Sequence, residues 1–131
     1  MKKESILRDK SYKFAIRIVR LAQFLQTDTR EYLISKQILR SGTSVGAMVR
    51  EAEYAQSKPD FVNKLSIALK EANETDYWLS LLKDTDYLEN KLHKSLHDDC
   101  EELISMLVSS IKTTKSNSST HTLHSSLITL H

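Results

Sequence analysis

The chain has 131 residues with a formal net charge of +2, one cysteine, two glycines and one proline. That length suits a single domain with a real core, the small charge is no argument for nucleic acid, and the lone Cys100 excludes an internal disulfide and suits a reducing, cytoplasmic setting. So few glycines and prolines point to long helices with few connections, because turns and bulges draw on both.

The N-terminal stretch "MKKESILRDK" is basic, but charges break it before any apolar run long enough for a signal peptide. No stretch approaches a membrane span. Within the first segment Phe14, Ile18, Leu21 and Leu25 recur at steps of four, three and four, and Ala15, Val19 and Ala22 widen that face. The spacing predicts an amphipathic helix from about Ser5 to Gln26. Asp28 and Glu31 then stand at capping-box spacing.

The second segment holds both glycines, in "LRSGTSVGAMVREAEYA". Ile38, Gly42, Val45, Val49 and Ala52 keep a helical rhythm through them, which a loop has no reason to do. One helix from about Arg30 to Ala55 is predicted, with a thin middle. Glycine inside a helix costs about 1 kcal/mol relative to alanine, so two of them imply a benefit from close backbone approach. The competing reading is a kink near Gly42. Neither phosphate-binding glycine spacing occurs here.

The third segment is the most regular, with Phe61, Leu65, Ala68, Ala72, Thr75, Leu79 and Leu82 alternating steps of four and three. Ser57 and Asp60 have capping spacing and Pro59 falls in the first turn, where its missing N–H is harmless. A helix from Lys58 to Lys83 follows. Leu92, Leu96, Leu103, Leu107 and Ile111 mark a fourth helix, from Glu89 to Lys112. Four helices of similar length with short connections predict an all-α fold, an antiparallel up-down-up-down four-helix bundle over residues 1–114. From Lys115 the composition turns to Ser, Thr and His, and the tail 115–131 is expected to be disordered. Leu123, Leu127 and Leu130 could there form one short stripe on a partner.

Around "QILRSGTSVGAMVREA" and "DFVNKLSIALKEANETDYWLSLL" the chain resembles the four-helix-bundle proteins encoded in intervening sequences of bacterial 23S rRNA genes. Arg40, Ser44, Val45, Val49, Glu51 and Ala52 match the family pattern, whereas Met48 stands where the family usually has Asn. The resemblance runs from about Tyr12 to Lys115. It implies a small homopentameric protein with no established activity. A similar fold serves as the basic, pentameric accessory protein of diversity-generating retroelements, which binds RNA and a reverse transcriptase.

Three groups of residues carry the functional reading. Arg40, Ser44, Ala47, Glu51 and Tyr54 form a row on the second helix, on a different side from the glycine seam. Mostly on the strength of the resemblance this row is expected to be an interface. Arg40 and Glu51 lie three turns apart, so each would rather pair with another helix or subunit. The plainer reading is a partly exposed face with ion pairs of small worth. Lys10, Lys13, Arg17 and Arg20, continued by Phe24, line one side of the first helix and could track an RNA backbone. The plainer readings are a solvated face, or attraction to the acidic "DDCEE" of a neighbouring subunit. Residues 1–26 carry seven Lys/Arg against two acids and residues 84–114 seven acids against three lysines, so the chain is polarised. His93 and His97 are one turn apart, with Cys100 a turn further on. No second ligand pair is evident in the sequence, so no metal or cofactor is expected. No catalytic constellation can be placed, and no activity is expected. The chain reads as a non-catalytic protein that assembles with itself into a closed homo-oligomer, expected to be a pentamer, with RNA binding as the alternative.

Overall fold

The computed structural model describes residues 3–126, with side chains from residue 6 to residue 117. Four helices follow one another: α1 (Lys3–Thr27), α2 (Leu33–Glu53), α3 (Lys58–Asp84) and α4 (Asn90–Ser126). Each packs on the next and α4 closes against α1, while among the described residues the diagonal pairs α1/α3 and α2/α4 do not bring their Cα atoms within 8 Å. That is the four-helix bundle expected from the periodic segments. α4 continues beyond the end expected at Lys112. The backbone is therefore helical over 115–126, the first part of the expected disordered tail; residues 127–131 and the Leu123/Leu127/Leu130 stripe lie outside the described backbone or side chains.

The core is built from the seams read in the sequence. Phe14, Ile18, Leu21 and Leu25 of α1 are buried, as are Leu65, Ala68, Ala72, Leu79 and Leu82 of α3 and Leu96, Leu103 and Leu107 of α4. Ala22 is buried too, but Ala15 and Val19, expected to widen the same face, are only half-buried and turn outward.

α2 runs unbroken through both glycines, and neither glycine has a positive φ. Its buried face is Ser35, Ile38, Ser41, Gly42, Val45, Val49 and Ala52, mostly small residues. The missing side chains admit α1. A Cβ on Gly42 would lie 2.7 Å from Ile18 Cγ2 and 2.8 Å from its Cγ1, and one on Gly46 would lie 3.3 Å from the Ser11 carbonyl oxygen. The close approach inferred from the sequence is thus made within the chain, by α1. On the other side of α2, the buried Thr75 hydroxyl of α3 donates to Ser41 Oγ at 2.9 Å, so both groups are satisfied without water.

The caps differ in kind. Ser57 Oγ accepts from the Asp60 N–H at 3.1 Å with Pro59 in the first turn, as expected. The Asp28–Glu31 box does not form. Arg30 adopts a left-handed conformation (φ 56°), and the Glu31 N–H returns to the Leu25 carbonyl. This brings the Glu31 carboxylate under the first turn of α2. There it accepts from Leu33, Ile34 and Ser35 N–H at 3.2, 3.0 and 2.7 Å, satisfying donors that the helix leaves free.

Candidate functional site

The α2 row is used partly inside the chain. Arg40 reaches across to α3, donating from Nη1 to Glu71 Oε2 at 3.3 Å and from Nη2 to Glu74 Oε2. Trp78 Nε1 donates to the same Glu74 oxygen at 3.1 Å. Glu51 pairs with Lys64 of α3 at 3.7 Å, and Ser44 Oγ donates back to the Arg40 carbonyl at 2.6 Å. Arg40 and Glu51, expected to seek another helix or subunit, each find α3 of their own chain. Ala47 is exposed and Tyr54 is 79% exposed. Met48, the residue that departs from the pattern of the resemblance, packs against the core, so no polar site is built at that position.

The Arg40–Glu71–Glu74–Trp78 cluster is charged and only half-buried. The Trp78 N–H, with Arg40 after it, holds the Glu74 carboxyl below its usual 4.5, and Glu74 chiefly holds Arg40 up. A carboxylate with a lowered folded pKa stabilises the fold above its unfolded value, and that contribution fades as pH falls through the lowered one. The stability difference between wild type and Glu74→Gln should therefore be largest above pH 4.5 and shrink on further acidification. A difference that stays constant in urea titrations across that range would refute this.

The basic side of α1 is likewise partly spoken for. Arg17 meets Asp99 of α4 at 2.7 Å and Lys10 meets Glu102 at 3.2 Å. The attraction to the acidic stretch is thus satisfied within one chain. Lys13 and Arg20 make no ion pair among the described residues, and Phe24 is 44% exposed above Leu92 and Leu96. Two of the four cations remain for an outside phosphate, fewer than the sequence offered.

One surface feature was missed in the sequence. Tyr12, Ile16, Val19 and Gln23 form a second stripe on α1, turned away from the core, and with Ala15 and Arg20 they line an open, mostly apolar groove. Tyr12 is 57% exposed and Ile16 39%. The steps of four, three and four were legible. The periodic pattern assigns Val19 and Ala15 to the core face, which leaves the stripe without its centre.

On the α3–α4 side, His97 Nδ1 lies 2.6 Å from Asp76 Oδ1. This contact raises the His97 pKa, whereas burial lowers that of His93. Cys100 donates to the Ala72 carbonyl at 3.2 Å, and burial pushes its thiol up to about 12. It is not a poised nucleophile. Among the described residues no helix is long and apolar enough to cross a membrane.

The family model for the 23S rRNA-intervening sequence protein matches residues 3–109. A crystal structure described as a protein with unknown function from the S23 ribosomal protein family of Bacteroides thetaiotaomicron VPI-5482 is 54% identical. It covers 85% of this chain and 99% of its own, with a TM-score of 0.84. No curated protein matches.

Proposed function

The chain belongs to the family of 23S rRNA-intervening sequence proteins, and from that premise we propose that it is a non-catalytic assembly protein forming a closed homo-oligomer, a pentameric ring. The observation that carries this reading is the outward apolar stripe of α1. Tyr12, Ile16 and Val19 stand in one row beside Ala15, on a helix whose other apolar face already fills the core. Scattered exposed apolar residues need no explanation, but a continuous row on one helix marks a surface made to be covered.

A ring contact is heterologous, so each copy must offer two different surfaces. The second is the exposed part of the α2 row, Ala47 and Tyr54, whose charged neighbours Arg40 and Glu51 are already paired with α3. Apolar side chains at the centre of such a contact, with charges kept to its edge, are what a stable interface favours.

Light scattering on the eluting protein should give one species of five times the 15.1 kDa chain mass, unchanged over a wide range of loading concentration. Ile16→Glu and Tyr54→Glu should each release monomers that keep their helical circular dichroism. A monomer at every concentration would overturn the proposal.

A further inference from the structure

We propose that Asp76 of α3 with His97 and Glu101 of α4 forms a surface binding site for a first-row transition dication such as Zn2+, which would staple α3 to α4. One imidazole nitrogen and one oxygen from each carboxylate lie within 4.8 Å of one another. His97 and Glu101 are one helical turn apart and project from the same side of α4, and Asp76 faces them from α3. Tetrahedral ligands around zinc, at about 2.0–2.2 Å from the metal, sit a little over 3 Å from each other. Asp76 Oδ1 and His97 Nδ1 are hydrogen-bonded at 2.6 Å, so they must part slightly as the metal takes the place of the shared proton. Glu101 is exposed, so its rotamer can close the remaining distance without disturbing the core.

The electrostatics favour a cation. Two carboxylates face one imidazole, and among the described residues neither Asp76 nor Glu101 has a Lys or Arg partner within 4 Å. His93 stacks on His97 with ring centroids 5.6 Å apart and planes 12° from parallel, which limits the swing of the His97 ring. The buried His93 Nε2 has no hydrogen-bond partner among the described residues, but His93 is not one of the three clustered ligands. A set of one nitrogen and two oxygens suits Zn2+ and its neighbours in the series more than thiolate-seeking ions. Three protein ligands leave the fourth position to water, so the site would be solvent-open, unlike the closed four-ligand structural zinc sites, while still bridging α3 and α4. His97 and Glu101 stand at i, i+4 spacing in the sequence; packing supplies the Asp76 carboxylate from the other helix.

The test uses the full chain after dialysis against chelator, with Zn2+ added while heat of binding and thermal midpoint are followed. His121, His124 and His131 offer an adventitious site, so a variant with all three changed to Ala is run in parallel. One Zn2+ per chain should bind to wild type and to the tail variant alike and raise the midpoint of both. Glu101→Gln, a change at an exposed position, and His97→Ala should weaken binding about tenfold or more. The proposal is overturned if Zn2+ leaves the midpoint unmoved, if the tail variant loses the binding, or if Glu101→Gln keeps it in full.

Discussion

Gly42→Ala should destabilise the fold by about 2 kcal/mol, although alanine is the better helix former by about 1 kcal/mol. The added methyl would stand 2.7 Å from Ile18 Cγ2, 2.8 Å from Cγ1 and 3.1 Å from Cβ. Those atoms are not the loose end of a side chain. They sit at the branch point of a β-branched residue that is fully buried and stiff about its first torsion. Either α1 moves away from α2 or Ile18 leaves its rotamer, and close-packed interiors resist both. Gly46→Ala meets the Ser11 carbonyl oxygen at 3.3 Å and Ser11 Oγ at 3.6 Å, both looser than the Ile18 contacts, so its effect should be the smaller. Pairing Gly42→Ala with Ile18→Ala isolates the contact. Ile18→Ala alone should lose about 2–5 kcal/mol, and the double variant should lose less than the two single losses together by 0.5 kcal/mol or more. Urea denaturation of the four proteins measures the coupling. A stabilised Gly42→Ala protein, or strict additivity, would show that α1 and α2 do not touch there.

Glu31→Ala should cost about 2 kcal/mol, because one carboxylate accepts three backbone N–H groups at the start of α2. Glu31 is only 8% exposed, so water cannot easily take its place. The Ser35 hydroxyl also donates to the Glu31 carbonyl at 2.7 Å, and Gln26 donates to Ser35, so the cap joins α1 to α2. Glu31→Gln keeps one oxygen acceptor and should lose roughly half as much. Thermal and urea unfolding, read with amide exchange at Leu33, Ile34 and Ser35, distinguishes loss of the cap from general loosening. Stability within 0.5 kcal/mol of wild type would contradict the role assigned to Glu31.

The capping region also shows where sequence reading reaches its limit. Glu31 stood out because of its spacing from Asp28, and a cap was expected between those two residues. The carboxylate does cap a helix, but with Asp28 excluded. Asp28 Oδ1 instead accepts from Thr27 Oγ1. The left-handed turn at Arg30 decides this, and no residue preference announces it, since Arg is an uncommon occupant of that conformation. Arg40 and Glu51 lie three turns apart on α2, and each pairs elsewhere. That both find α3, rather than another subunit, depends on where Glu71, Glu74 and Lys64 come to rest. The candidate sites were less legible than the fold for the same reason.

The number of helices, the approximate limits of all but α4, which runs on to Ser126, and most of the residues each buries were set by the chain's local pattern. Ala15, Val19, Phe61 and Leu92 are only partly buried. A period of 3.6 residues is a property of one segment, and burial of its apolar side follows wherever the segment packs. Even the continuity of α2 through Gly42 and Gly46 belongs to this class, because the rhythm of Ile38, Val45 and Val49 crosses both. What the tertiary structure alone decided is which side chains of different helices meet. Arg17 with Asp99, Arg40 with Glu74 and Asp76 with His97 each depend on the rotation and axial shift of one helix against another. Those two quantities arise from the packing of all four seams at once, so no single segment encodes them.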